Sequence, residues 1–212
     1  MEKTNLEGGI RSPENYPQDK YKNFEELARN EMEGVDFDIE LIDRNSPLAV
    51  IAIHGGNIEP GTTDIARALA GDDFSFYSFI GKKGEKNADL HITSSNFDEP
   101  KCLALVPRSE KVISIHGKRD EEEFVMIGGL DDETAKRISD SLASGGFEIR
   151  PATENVKGNS PENICNRCSS KKGTQLEISR GLRDKFLNDK DELSKFCELI
   201  KKCLRTSNNF KT

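Results

Sequence analysis

The chain has 212 residues, a formal net charge of −7 and a pI of about 5.2. An acidic surface of this kind repels phosphates, so we expect no nucleic-acid partner and no binding to anionic membrane surfaces. No apolar run reaches the roughly 18 residues of a membrane span, and the first residues contain no apolar secretory segment, which predicts a cytoplasmic protein.

The predicted elements begin after residue 20, because residues 1–20 are polar and contain two prolines. We expect a flexible N-terminal arm over residues 1–20 and a single catalytic α/β domain over residues 21–212. Strands alternate with helices, which favours a mixed, largely parallel, twisted sheet flanked by helices. In chain order, the patterns predict a helix over 24–34, strands over 37–41 and 48–53, a helix over 63–70, a strand over 74–80, a helix over 99–107, strands over 112–115 and 124–127, a helix over 132–143, strands over 147–150 and 173–179, and a helix over 182–204.

Two of the predicted strands end in the same way, with His-Gly after a run of β-branched and small apolar residues. His54 follows Leu48-Ala-Val-Ile-Ala-Ile53, and His116 follows Val112-Ile-Ser-Ile115. The chain contains only three histidines, and Glu59 lies five residues after the first of these two. Ligands of α/β sheets bind at the carboxyl ends of strands, where these side chains fall. Two imidazoles and one carboxylate are typical of a catalytic zinc site with an open fourth position, which predicts zinc as the cofactor.

A second carboxylate, Glu177, lies within a predicted apolar strand, between Leu176 and Ile178. A carboxylate in such a position is costly unless it is paired or functional. Because it falls near the same strand ends as His54 and His116, we expect Glu177 to act as a general base that takes a proton from water and passes it to a leaving nitrogen. The alternative is that Glu177 faces solvent on an edge strand.

The same residue types also have ordinary structural interpretations. A single histidine after a strand is more often structural than functional, and Glu59 alone is compatible with a turn before Pro60. His91 either lines the cleft or hydrogen-bonds within its loop. Cys165 and Cys168 have the spacing of half a zinc site, but no second pair with matching spacing follows, so we assign them no metal or redox role.

Several strings in the chain resemble the phage-type poly-γ-glutamate hydrolases, which are zinc-dependent enzymes with a carboxypeptidase-like fold. The most specific string is His-Gly-Gly-Asn-Ile-Glu-Pro-Gly-Thr over residues 54–62. In zinc carboxypeptidases the glutamate ligand lies three residues after the histidine, whereas here it lies five residues after, as in the phage-type group. The matching strings occupy residues 23–27, 53–62, 89–93, 97–100, 113–117, 161–167 and 175–181.

The resemblance implies that His54, Glu59 and His116 hold zinc and that Glu177 is the general base and acid. It implies hydrolysis of γ-glutamyl amide bonds in poly-γ-glutamate by metal-activated water. It also implies a prophage-encoded enzyme that removes a host capsule after release by host lysis. We expect the protein to be a monomer.

The implied substrate is a polyanion, which a protein of net charge −7 repels unless basic residues line the cleft. Arg167 and Arg180 lie within the matching strings, and Lys118 and Arg119 directly follow the second histidine motif. Cationic side chains suit carboxylate recognition, so these four residues and His91 are the candidate substrate-binding residues.

Two other functions are compatible with the sequence. One is a zinc amidohydrolase that acts on small γ-glutamyl or N-acyl amino acids, which a comparison of turnover on polymer and on small amides would distinguish. The other is a non-catalytic binder of anionic polymer, against which the presence of Glu177 argues.

Overall fold

The computed structural model describes residues 18–205, which form one mixed seven-stranded sheet and six α-helices. This architecture confirms the predicted α/β fold. The strands are β1 (Phe37–Ile42), β2 (Leu48–Gly56), β3 (Ser75–Gly81), β4 (Lys111–Gly117), β5 (Val125–Gly129), β6 (Ile149–Arg150) and β7 (Thr174–Ile178). The helices are α1 (Phe24–Asn30), α2 (Thr62–Ala70), α3 (Pro100–Leu105), α4 (Asp132–Ser144), α5 (Arg180–Asn188) and α6 (Lys190–Arg205).

The strand order across the sheet is β1-β3-β2-β4-β7-β5-β6. The four central strands, β3, β2, β4 and β7, are parallel, so their carboxyl ends meet at one edge of the sheet. β1 pairs antiparallel with β3 on one side, and β5 pairs antiparallel with β7 on the other. The site residues predicted at strand ends therefore lie on one side of the molecule.

Alternate residues of the central strands face two separate hydrophobic clusters. Leu48 and Val50 pack in a cluster that α2, α4, α5 and α6 cover. Ala49 and Ile51 pack in a second cluster, on the opposite face, together with α1 and α3. Because both faces are buried, β2 is apolar at successive positions rather than at every second one, as is typical of parallel sheets.

The helix predicted over residues 182–204 is interrupted in the structure. Asp189 has an extended backbone (φ −126°, ψ 96°). Its Oδ1 accepts hydrogen bonds from the backbone amides of Asp191 and Glu192, at 3.1 and 3.0 Å. Asp189 therefore lies between the two helices and is the N-cap of α6. A side-chain oxygen that accepts hydrogen bonds from the first amides of a helix stabilises the beginning of that helix.

The strand predicted over residues 147–150 is limited to Ile149–Arg150. The amide of Phe147 instead donates a hydrogen bond to the carbonyl of Leu142, which closes the end of α4 (N–O distance 3.0 Å). Phe147 thus belongs to the turn after the helix and not to the sheet.

The arm predicted over residues 1–20 lies mostly outside the residues that the structure describes. Asp19, near its end, is described, and its carboxylate contacts the imidazole of His91. No helix between residues 18 and 205 is long and apolar enough to cross a membrane.

Candidate metal centre

The carboxyl ends of β2, β4 and β7 bring His54, His116 and Glu177 together. His116 and Glu177 are direct partners in the register of the adjacent parallel strands. All three side chains are buried. The chain turns directly after β2, since Gly56 has a φ of +61°, and the amide of Glu59 donates back to the carbonyl of His54 at 2.9 Å. This turn brings the glutamate back beside the histidine that precedes it.

Three side-chain atoms face one point at this edge of the sheet. The Nδ1 atom of His54 lies 3.2 Å from Oε1 of Glu59 and 3.2 Å from Nδ1 of His116. Oε2 of Glu59 lies 3.9 Å from the same atom of His116 and accepts a hydrogen bond from the amide of Gly117 at 2.8 Å. The predicted ligand set is thus close together in space.

The hydrogen bonds on the far side of each imidazole orient these atoms. Nε2 of His54 lies 2.9 Å from the carbonyl oxygen of Ile92, which can only accept, so Nε2 carries the proton and Nδ1 of the neutral ring is a bare acceptor. Nε2 of His116 hydrogen-bonds the hydroxyl of Ser114 at 2.8 Å, so its Nδ1 is the atom turned towards His54. Two acceptors, His54 Nδ1 and a carboxylate oxygen, therefore face each other and require a cation between them.

These residues fit a zinc ion. Zinc prefers imidazole nitrogen and carboxylate oxygen in a tetrahedral arrangement, and bonds of 2.0–2.1 Å place neighbouring ligand atoms about 3.3 Å apart. Two of the three distances among His54, Glu59 and His116 are 3.2 Å. The partners of the outer ring nitrogens, a carbonyl and a hydroxyl, are of the kind that orients histidine ligands.

The pKa shifts of these residues in the metal-free site also favour one positive charge there. Burial by itself lowers the pKa of His54, but the carboxylate of Glu59 outweighs it and raises that pKa. Burial by itself raises the pKa of Glu59, but the imidazoles of His54 and His116 lower it to about 2. Burial, reinforced by the charge of His54, lowers the pKa of His116 to about 3. The negative charge of Glu59 therefore favours a positive charge beside it.

His91 lies against this centre. Its ring stacks on that of His54, with the ring centroids 4.0 Å apart and an interplanar angle of 28°. Ligand atoms of His54, Glu59 and His91 lie within 4.8 Å of one another, so His91 is a further candidate ligand. Its Nδ1 hydrogen-bonds the carboxylate of Asp19 at 2.6 Å. His91 thus both lines the site and is held by a partner outside its own loop.

Glu177 lies buried beside His116 at the end of β7. Gln175 donates from Nε2 to Oε1 of Glu177 at 2.7 Å. Burial, reinforced by the negative charge of Glu59, raises the pKa of Glu177 to about 8, while the nearby charge of Lys118 acts in the opposite direction. The alternative of an exposed position on an edge strand is wrong, because β7 lies between β4 and β5 and Glu177 is buried.

The predicted basic residues are spread more widely than the histidines. Lys118 is close enough to Glu177 to influence its pKa, and Arg119 is exposed in the loop that follows. Arg180 is exposed on the first turn of α5 and pairs with Asp184 at 2.6 Å.

Arg167 binds backbone carbonyls instead of facing the centre. Its Nε donates to the carbonyl of Glu162 at 2.8 Å, and its Nη2 donates to the carbonyl of Ser95 at 2.6 Å. A further bond reaches the carbonyl of Phe97 at 3.4 Å. The guanidinium therefore joins the loop around residue 95 to the short 3₁₀ helix Ile164–Arg167.

Arg183, which sequence reasoning missed, connects the segments that carry the site. Its buried guanidinium donates from Nε to the carbonyl of Ile178 at 3.0 Å, from Nη2 to that of Lys118 at 2.7 Å, and from Nη1 to that of Pro60. A Cβ atom on Gly117 would lie only 2.6 Å from the guanidinium carbon, which is why glycine follows the histidine there. No local pattern marks Arg183, because its partners are backbone carbonyls, and those of Pro60 and Lys118 lie far away in the sequence.

The sequence profile of the family described as poly-gamma-glutamate hydrolase matches residues 21–198 of the chain. Two relatives come from Bacillus subtilis strain 168. The UPF0714 protein YndL is 39% identical over 170 residues, which are 79% of this chain and 67% of YndL. The SPbeta prophage-derived UPF0714 protein YoqZ is 38% identical over 172 residues, which are 80% of this chain and 62% of YoqZ.

Two solved structures are similar over nearly their whole length. The structure of a bacteriophage poly-gamma-glutamate hydrolase has a TM-score of 0.85 and 33% identity, and the match covers 89% of this chain and 98% of that one. The zinc-free apo structure of YndL has a TM-score of 0.84 and 35% identity, and the match covers 91% of this chain and 100% of that one. The chain therefore belongs to the poly-γ-glutamate hydrolase family.

Proposed function

We propose that this member of the family is a zinc-dependent hydrolase that cleaves γ-glutamyl amide bonds in poly-γ-glutamate. The observation that carries the proposal is the convergence of Nδ1 of His54, Nδ1 of His116 and the carboxylate of Glu59 on one point, beside the buried Glu177. The substrate follows from the family, and zinc is supported by the donor set and by the description of one YndL structure as zinc-free.

The proposed zinc ligands are His54, Glu59 and His116. His116 is preferred to His91 because its Nδ1 lies 3.2 Å from that of His54, a distance that suits two ligands of one ion. His91 stacks on His54 and is assigned to the wall of the site. A zinc ion held here would supply Lewis acidity, which activates water and polarises an amide carbonyl.

Glu177 is the proposed general base and acid. In that role its carboxylate takes a proton from the attacking water and delivers it to the leaving nitrogen of the amide. Because Oε1 of Glu177 already accepts a hydrogen bond from Gln175, we assign the proton transfer to Oε2 of Glu177. The buried position of Glu177 lets the side chain hold a proton between the two transfers.

The proposed substrate carries one free carboxylate per unit, and cationic groups near the centre would bind it. Lys118 and Arg119 follow β4, and Arg180 begins α5 at the same edge of the sheet. Arg167, whose guanidinium binds three carbonyls, is a weaker candidate. A prophage origin is supported by the prophage-derived relative YoqZ. The monomeric state and the likeness to zinc carboxypeptidases stay predictions.

The experiment that tests this function follows the chain length of poly-γ-glutamate with time. Purified protein should shorten the polymer, a chelator should abolish the cleavage and added Zn²⁺ should restore it. Glu177→Gln should lower kcat by roughly 10²–10⁴-fold, because it removes the proton acceptor while preserving shape. Glu133→Gln, on the exposed first turn of α4, is the matched control and should leave kcat unchanged.

Three results would contradict the proposal. Full activity in protein shown to be free of metal would exclude the zinc mechanism. Unchanged hydrolysis by Glu177→Gln would exclude Glu177 as the general base. Cleavage of small γ-glutamyl amides without shortening of the polymer would instead identify the smaller substrate class.

A further inference from the structure

Asp19 binds two neighbours of the candidate centre with one carboxylate. Its Oδ1 lies 2.6 Å from Nδ1 of His91, and its Oδ2 accepts a hydrogen bond from the amide of Thr93 at 2.6 Å. The side chain is 13% exposed, although it comes from the first few described residues. Asp19 also precedes residue 21, where the match to the family begins.

The residue between those two partners holds a proposed zinc ligand. Ile92 lies between His91 and Thr93, and its carbonyl oxygen accepts the hydrogen bond from Nε2 of His54 at 2.9 Å. The ring of His91 also stacks on the ring of His54. Asp19 therefore holds both ends of the three-residue segment that contacts the outer side of His54.

The backbone around Asp19 is itself fixed by its neighbours. Lys20 pairs with Asp89 at 2.9 Å and with Glu31 at 3.3 Å. The hydroxyl of Tyr21 donates to the same glutamate at 2.6 Å. The segment is thus attached both to the loop that carries His91 and to the residue that follows α1, so the position of its carboxylate is well defined.

We propose that Asp19 is a positioning residue for the metal centre, which by binding His91 and Thr93 fixes the Ile92 carbonyl and the stacked ring that orient His54. This inference rests on the proposed function. Hydrogen bonds outside the ligands set the tautomer and the ring orientation of histidine ligands, and their loss typically costs 10–100-fold in metal affinity. Because an ionised carboxylate can only accept hydrogen bonds, Asp19 also keeps the proton of neutral His91 on Nδ1. The Nε2 atom of His91 is then unprotonated.

The first arm of the test measures zinc affinity by competition with a chromophoric chelator. In Asp19→Asn the amide oxygen can still accept from Thr93, but the amide nitrogen cannot accept from His91. We expect zinc to bind about 10-fold more weakly. Asp140→Asn removes an exposed carboxylate on α4, which pairs with Lys136 away from the centre, and it should bind zinc as the wild-type protein does.

The second arm records the ¹⁵N spectrum of the imidazole rings in the zinc-free protein, where three histidines give a simple spectrum. The wild-type protein should show His91 protonated at Nδ1, and Asp19→Asn should move that proton to Nε2. This change of tautomer reports directly on the loss of the Asp19 acceptor at Nδ1, which a change in zinc affinity by itself does not.

The possible outcomes distinguish the proposed role of Asp19 from the proposed function of the protein. If the wild-type protein binds zinc and Asp19→Asn binds it within twofold as tightly, the role of Asp19 is overturned and the proposed function stands. An unchanged His91 tautomer in Asp19→Asn also overturns the role of Asp19. If the wild-type protein binds no zinc, the proposed function fails, and the spectrum still shows whether Asp19 fixes His91.

Discussion

Arg183 shows how one side chain can hold a site without taking part in its chemistry. Its guanidinium binds the carbonyls of Pro60, Lys118 and Ile178, which immediately follow Glu59, the His116-Gly pair and Glu177. Each of these segments approaches from a different strand. A single planar group with five donors can satisfy all three carbonyls at once, which lysine cannot.

We therefore predict that Arg183→Met lowers the free energy of unfolding by about 3 kcal/mol, because buried carbonyls lose bonds to a charged donor. Urea unfolding of the zinc-free protein measures the effect. Arg180→Met is the matched control: Arg180 lies one turn earlier on α5 and is exposed, so its ion pair with Asp184 contributes only about 0.5 kcal/mol. Equal losses in the two variants would contradict the connecting role of Arg183.

A second prediction concerns the stability of the zinc-free protein against pH. The pKa of Glu177 is about 8 in the folded state, above the value of about 4.3 in an unfolded chain. The folded state therefore holds a proton that the unfolded state releases, so this group lowers stability progressively as the pH rises from about 4 to 8.

Glu177→Gln keeps a neutral side chain at every pH and should remove this loss. The free energy of unfolding, measured in urea with a chelator present, should fall more steeply between pH 5 and pH 8 for the wild-type protein than for the variant. Parallel pH profiles would show that Glu177 is not protonated in the folded protein at neutral pH.

The residues of the centre differ in how far the sequence predicted them. His54, His116 and Glu177 stand out because each is polar within or directly after an apolar strand, and the structure brings them together as expected. Asp19 and Arg183 carry no such signal. Their partners are backbone atoms or side chains distant in sequence, so only the folded chain shows their contacts.

At the level of elements, periodicity predicted the strands better than the helix ends. The apolar spacing of Phe186, Leu193 and Ile200 continues across α5 and α6, since both helices pack on the same hydrophobic cluster. That continuity predicted one long helix. The break depends on a single hydrogen-bonding side chain, Asp189, and apolar periodicity carries no information about such a cap.

This explanation gives a third prediction. Asp189→Ala should lower the free energy of unfolding by about 1 kcal/mol, the usual effect of removing an N-cap. Asp191→Ala is the control, because Asp191 lies in the first turn of α6 and stabilises the helix only through its dipole, by a few tenths of a kcal/mol. A loss for Asp189→Ala no larger than that for the control, measured by urea unfolding, would mean that α5 and α6 do not depend on this cap.

The sequence patterns did not predict the order of the strands in the sheet. Alternation of strands and helices predicted a mixed, largely parallel sheet, and the four parallel central strands agree with it. Nothing in residues 174–178 indicates that β7 lies between β4 and β5 rather than at an edge. That placement depends on packing across the whole sheet, and it is what makes Glu177 a neighbour of His116.

For the whole molecule, the net charge of −7 bears on the proposed substrate. A polyanion approaching an acidic protein is repelled over about 30 Å at 0.01 M ionic strength but over only about 10 Å at 0.1 M, because added ions screen the repulsion. We predict that the KM for poly-γ-glutamate falls by roughly threefold when NaCl rises from about 20 to about 200 mM. A short γ-glutamyl amide with few charges is the control and should respond less. A KM that rises with salt would show that local cationic residues dominate the encounter.

The late position of β7 in the chain also affects how the protein is made. β4 and β5 are complete by residue 129, yet the strand that pairs with both spans Thr174–Ile178. A chain under synthesis therefore exposes two unpaired strand edges for a long interval, and such edges promote association between chains. The same late strand carries Glu177, so an unfinished chain is both prone to aggregate and, on the proposed mechanism, unable to cleave its substrate. Slower synthesis ahead of residue 174 should accordingly reduce the yield of folded enzyme rather than improve it.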